Sequence, residues 1–191
     1  MLTLEEVRKQ IDAIDPQIRE LVMKRFDCGF HVAETKFADH STTVFRADRE
    51  AAILAKLGKE VPEDRRAQYL AVVKKIMEAN RMYQYGLLYN WYGEKEVFAP
   101  LAKDLTIAPG GTLVKIRFTQ GDRPNALTLI LSMIGDYGYN LEDLQIHKKD
   151  TEHQTVTFDV TIAGDLSQEH MKKLMFQLSR ESEDFQILEN K

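Results

Sequence analysis

Leu4-Glu5-Glu6-Val7-Arg8-Lys9-Gln10-Ile11-Asp12-Ala13-Ile14-Asp15-Pro16-Gln17-Ile18-Arg19-Glu20-Leu21 sets an apolar residue at positions 4, 7, 11, 14, 18 and 21. Steps of three and four residues are the seam of a long packed helix or a coiled coil. The same phase continues to Arg25, Cys28, Val32 and Thr35. Pro16 interrupts the run. Inside a helix a proline removes a hydrogen bond and costs about 3 kcal/mol, and Asp15-Pro16 also suits a helix start. The seam keeps its phase across the proline, so one long helix, kinked or locally repaired, is predicted.

Working outward, a polar loop at 38–43 leads to a second helix from Phe45 to Leu57 that stops at Gly58. Its inner stripe is Ala47, Glu50, Ile53, Leu54 and Leu57. A third helix starts near Pro62, with Glu63 and Asp64 suited to its first turn. It runs towards Tyr92 on a stripe of Tyr69, Val73, Ile76, Asn80, Gln84 and Leu87. Three helices make a thin structure, and a partner subunit is expected to cover the seams.

The period then changes. Gly93 to Gly111 breaks any regular pattern. Beyond it come a strand (112–119), a helix (124–137), two strands (140–148 and 154–162), a helix (167–180) and a strand (184–188). This βαββαβ order is the ferredoxin-like arrangement. The expected architecture is α+β in two domains: helical residues 1–92, a linker at 93–111, and a sheet domain at 112–191.

Composition narrows the function classes. The net charge of -4 argues against a nucleic-acid binder. One cysteine permits neither an internal disulfide nor a cysteine zinc cluster. Neither His31 nor His40 has metal-ligand spacing with a second histidine or the cysteine. No apolar stretch is long enough to span a bilayer, and the opening residues lack a basic region followed by an apolar run. Cytoplasm is the expected compartment, with no metal, no cofactor and no membrane partner.

The informative residues are polar groups where the period demands apolar ones. Arg25 sits on the first seam, and Lys36 lies eleven residues on, three turns along the same face. Glu50 interrupts the second stripe, with Arg49 beside it. Asn80 and Gln84 interrupt the third stripe and share a face. Buried unpaired, each is costly, and together they describe a pocket with positive charges, one carboxylate and two amides. Arg8 lies seventeen residues before Arg25, about 25 Å along one helix. A small ligand touches both only if Arg8 comes from an antiparallel second copy. Taken singly, Arg8, Lys36 and Arg49 also read as solvated charges, Glu50 as a surface ion pair with Arg46 or Arg49, and Asn80 as a register-setting core residue. Cys28 reads as core filler.

Across residues 4 to 90 these positions resemble the all-α (type II) chorismate mutases. Arg8 in Val-Arg-Lys-Gln-Ile-Asp, Arg25 in Met-Lys-Arg, Lys36 in Glu-Thr-Lys, Arg49-Glu50, and Asn80 with Gln84 follow in family order. The resemblance implies an intertwined homodimer acting on chorismate. In it Arg8 of one copy, Arg25 and Arg49 hold two carboxylates, and Lys36 and Gln84 donate to the ether oxygen. Glu50 accepts from the hydroxyl, and Asn80, where the family often has serine, lines the carboxylate pocket. Arg46 stands where members often have an aspartate at the hydroxyl end, and it offers Glu50 an ion-pair partner. Arg25, Lys36, Glu50 and Gln84 are the expected catalytic group.

The chemistry suits this inventory. Chorismate to prephenate is a rearrangement within one molecule that needs no nucleophile, metal or net proton transfer. The protein must hold the reactive conformer and stabilise charge on the ether oxygen as its C–O bond breaks. Arginine forks match carboxylates.

In the second half, Gly121-Asp122-Arg123-Pro124-Asn125-Ala126-Leu127 resembles the ACT-domain turn, with Asn125 replacing a common glycine, and Tyr139-Asn140-Leu141 resembles the entry to its second strand. The resemblance implies an aromatic amino-acid effector held by Asp122 to Leu127 and Asn140, with feedback on the helical half. The same residues also suit an ordinary turn and helix cap. Two rival functions remain beside the regulated mutase. One is a lyase removing pyruvate from isochorismate on the same scaffold; the other is a non-catalytic amino-acid sensor.

Overall fold

The computed structural model describes residues 1–124 and 126–191. Its first helix, α1 (Leu4–Ala38), is 35 residues long and runs through Pro16 without a break. Thr3 and Glu6 form a capping box at its start: the Thr3 N–H donates to Glu6 Oε2 at 2.7 Å, and the Glu6 N–H donates to Thr3 Oγ1 at 3.3 Å. At the other end His40 takes the left-handed conformation, φ 51°. The Ser41 N–H then closes on the Lys36 carbonyl at 2.8 Å and the His40 N–H on that of Phe37 at 3.1 Å, a Schellman stop. His40 is thus a turn former.

Helix α2 (Ala47–Gly58) and helix α3 (Glu63–Tyr92) follow. The Gly58 carbonyl accepts from Arg66 Nε at 2.7 Å, which ties the end of α2 to α3. The seam of α1 is largely exposed: Leu4, Ile11, Ile14, Ile18 and Leu21 all face solvent, and only Gly29 and Ala33 of this helix are buried. Cys28 shares that outer face and is exposed, which corrects its reading as core filler. The face of α1 that packs within the chain is the one carrying the two small residues.

Chain contacts divide the molecule into two units, Met1–Ser41 with Arg46–Gln84, and Thr42–Phe45 with Tyr85–Lys191. The division falls inside α3, ahead of the glycine-bounded 93–111 segment. That segment is not featureless: α4 (Glu94–Val97) and a 3-10 turn (Ala99–Ala102) form within it. In the second unit β1 (Leu113–Gly121), α5 (Ala126–Asp136), β2 (Leu141–Asp150), β3 (Thr155–Ala163), α6 (Glu169–Glu181) and β4 (Glu183–Asn190) complete the chain. The sheet order is β2-β3-β1-β4 with every pair antiparallel. The whole is mixed α+β, long helices first and a four-stranded antiparallel sheet second.

Alternation fixes the sheet's buried face. Val114, Ile116 and Phe118 on β1 and Val156, Phe158, Val160 and Ile162 on β3 are buried, as are Ile130, Met133 and Ile134 of α5 and Met171, Leu174 and Leu178 of α6. Helix α6 is buried beyond its sheet-facing side, at Met175 and Phe176 as well. The Phe176 ring meets Tyr85 edge-on at 5.7 Å and Tyr89 at 6.2 Å, and Lys172 pairs with Glu94 of α4 at 2.8 Å.

Candidate active site

All the helical residues singled out from the sequence belong to the first unit. One hydrogen-bonded group lies between α1 and α3. Asn80 is 5% exposed and Gln84 7%. Asn80 Nδ2 donates to the Arg25 backbone carbonyl at 3.0 Å. Gln84 Nε2 donates to Asn80 Oδ1 at 2.6 Å and to the Asn80 carbonyl at 3.2 Å. Gln84 Oε1 is buried and has no hydrogen-bond partner. Gly29 makes the arrangement possible: a Cβ there would collide with Asn80 Oδ1 and stand 2.8 Å from Asn80 Nδ2. A mid-helix glycine costs roughly 1 kcal/mol against alanine, and here the missing Cβ is what lets the amide reach the α1 backbone.

Between α2 and α3, Glu50 Oε1 accepts a short hydrogen bond from Arg81 Nη1, with the Arg81 side chain 5% exposed and that of Glu50 22%. The partner of Glu50 is therefore Arg81, and neither Arg46 nor Arg49. Arg46 turns the other way, its Nε and Nη2 reaching Asp48 Oδ1 and Oδ2 at 3.1 and 2.8 Å. The Arg46 guanidinium holds the Asp48 carboxyl at about 2. Arg8, Arg25 and Arg49 are exposed and Lys36 is half-buried in the last turn of α1. Among the described residues none of these four makes an ion pair.

Sequence reasoning missed Arg81 and Gly29. Arg81 follows Asn80 directly and stands three residues before Gln84, on the shoulder of the stripe, where a charge reads as a solvated flank. Gly29 carried a usable signal, since an isolated glycine in a helical pattern often marks a close approach.

In the second unit Asp122, Arg123 and Pro124 are exposed, Ala126 and Leu127 are half-buried and Asn125 lies outside the described residues. Asp122 pairs with Lys149 of β2 at 2.7 Å, and the Ala126 N–H donates to the Arg123 carbonyl at 3.3 Å. The Asn140 carbonyl accepts from the Ala163 N–H at 2.9 Å. Among the described residues no helix is long and apolar enough to cross a membrane, and no three His, Cys, Asp or Glu side chains gather as metal ligands.

Residues 7–85 match the family model of chorismate mutase type II. The match spans Arg8 to Gln84, the full run of helical candidates, and covers less than half of the chain. No curated protein matches the chain. Among solved structures, one described as "GqqA- a novel type of quorum quenching acylases" aligns at 22% identity over 44% of this chain and 44% of its own, with a TM-score of 0.40. The chain thus spans less than half the length of that protein.

Proposed function

We propose that this chain converts chorismate to prephenate for phenylalanine and tyrosine synthesis, in the cytoplasm, under control of an aromatic amino acid bound by the second unit. The observation that carries the reading is the family match over residues 7–85, which contains every cation, amide and carboxylate the chemistry calls for. Arg25, Arg49 and Arg8 of a second copy hold the two carboxylates. Lys36 donates to the ether oxygen, and the Gln84 amide is the second donor there. Glu50 receives the ring hydroxyl. Asn80 lines the carboxylate end, and Arg46 flanks the hydroxyl end.

Two features support the dimer. The exposed apolar seam from Leu4 to Leu21 asks for a cover. Arg8 and Arg25, about 25 Å apart on one unbroken helix, reach a common ligand only from two chains. The effector reading rests on the resemblance of the Asp122–Leu127 turn and Asn140 to ACT domains, and on the βαββαβ order.

The test is to mix the purified chain with chorismate, with and without phenylalanine or tyrosine, and to identify the products. Prephenate formed by the wild type and lost in Arg25→Ala supports the mutase. Pyruvate with salicylate from isochorismate would move the assignment to the lyase. No turnover by a folded protein would leave a binding or sensing role. Inhibition by either amino acid supports the effector reading, and its absence from both rate and melting temperature removes it.

A further inference from the structure

The polarity of the Asn80–Gln84 pair is fixed by the backbone beside it. The Arg25 carbonyl can only accept, so the group of Asn80 that faces it at 3.0 Å must be the amino end, Nδ2. Asn80 Oδ1 then faces Gln84 at 2.6 Å and must meet a donor, so Gln84 turns Nε2 towards it. Reversing either amide would set two oxygens, or two N–H groups, against one another. The second Gln84 hydrogen goes to the Asn80 carbonyl at 3.2 Å. Both hydrogens of the Gln84 amide are therefore held by Asn80, and its oxygen is left buried without a partner.

Gln84 cannot donate to a ligand from this arrangement. We propose that Asn80 is a positioning residue that latches the Gln84 amide with its hydrogens turned back onto α3, so that turnover requires the amide to leave Asn80 and rotate. The kinetic part rests on the mutase reading above; the latch itself does not. Gly29 is part of the same device. It is the i+4 neighbour of Arg25 in α1, so Asn80 reaches the Arg25 carbonyl across the place where a Cβ would stand. A latch of this kind lowers kcat, because release is needed on each turnover, and leaves affinity for the ligand's carboxylates to the arginines.

The test uses the full chain. In Asn80→Ala the latch is gone, and kcat with chorismate is expected to rise roughly fivefold, the worth of about one net hydrogen bond, with KM changed less than kcat. Gly29→Ala displaces the Asn80 amide from the other side and is expected to raise kcat in the same direction. It also serves if Asn80→Ala does not fold. The independent readout is the Gln84 side-chain amide resonance in ligand-free protein, where both protons are expected to exchange with water slowly in the wild type and at least tenfold faster in either variant. Equal exchange in wild type and variants overturns the latch. So does a kcat that falls or stays level in both variants while the wild type turns over. If the wild type gives no prephenate, the mutase reading fails, and amide exchange alone decides for or against the latch.

Discussion

Arg81→Met is the perturbation whose consequence the helical unit specifies most closely. Arg81 is 4% exposed, and its guanidinium meets the Glu50 carboxylate, whose side chain is 22% exposed. Methionine keeps the length and apolar volume of the arginine stem and removes the charge. Breaking a fully buried pair by deleting one partner is destabilising by about 3–5 kcal/mol, because the remaining charge stays dry and unpaired. Glu50 retains some solvent, so the expected loss is about 2–4 kcal/mol. For a chain of this size that lowers the melting temperature by roughly 4–16 °C. Helical circular dichroism at 222 nm reports the unit concerned, which is almost wholly helix. The clean measurement is a double-mutant cycle with Glu50→Gln. Each single change should be costly and the double should recover a coupling of about 2 kcal/mol, well above the few tenths expected of independent sites. Costs that add within about 0.5 kcal/mol would show that the pair does no stabilising work, and would return Arg81 to the status of a packed stem.

Three further outcomes follow from the same geometry. Gln84→Ala should lower kcat for prephenate formation roughly a hundredfold, the worth of one lost donor at a developing charge, while far-ultraviolet dichroism stays the same; unchanged kcat would remove Gln84 from the chemistry. Arg8→Ala and Arg25→Ala should each be inactive alone, yet mixed and refolded subunits should regain activity, and verified heterodimers that stay inactive would remove the shared site. Asp165 accepts from the Gly110 N–H at 2.9 Å and the Ser167 N–H at 2.8 Å, and these bonds, that of Gly110 first, hold its carboxyl at about 2. Its folded pKa lies below its unfolded one, so the stability it contributes is present above about pH 4 and is lost as pH falls through about 2. The melting-temperature gap between wild type and Asp165→Asn should therefore be constant near neutrality and close between those limits, and a gap that persists at pH 2 would assign the effect to packing.

The long-range order of this chain is written in its periods. The three- and four-residue steps from Leu4 to Leu21 specify α1, and they do so through Pro16, because a helix anchored by a capping box at Thr3 and a Schellman stop at His40 carries the proline. The apolar alternation of Val114, Ile116 and Phe118 marks the buried face of β1 in the same way. Ends are read less well: α2 starts at Ala47 and not Phe45, since Arg46 takes the cap position in extended conformation. The 93–111 segment carries helical turns that its glycines conceal, and the reason is tertiary, in Lys172 drawing Glu94 of α4 onto α6. At the candidate site the residue types were visible as breaks in apolar stripes, but their partners were not. Period tells which face a side chain leaves from. Whether Glu50 meets Arg46, Arg49 or Arg81 depends on the rotation of α3 against α2 by a fraction of a turn, which no one-dimensional pattern encodes.

That partnering also decides which charges can act on a ligand. Arg46 is neutralised by Asp48 and Arg81 by Glu50, so neither adds net positive charge for an anion to use. Arg8, Arg25, Lys36 and Arg49 make no ion pair among the described residues, and in the proposed dimer, with Arg8 supplied by a second copy, they would bring up to four positive charges to one ligand. A dianion needs two for neutrality, and the surplus suits a reaction in which further negative charge develops on an oxygen as its bond breaks. The buried Arg81–Glu50 pair then has a defined part. It holds Glu50 in place and offsets its charge, so that Glu50 does not cancel the open cations. A carboxylate left unpaired in the same place would oppose binding of a dianion by direct repulsion, strengthened by the low local dielectric.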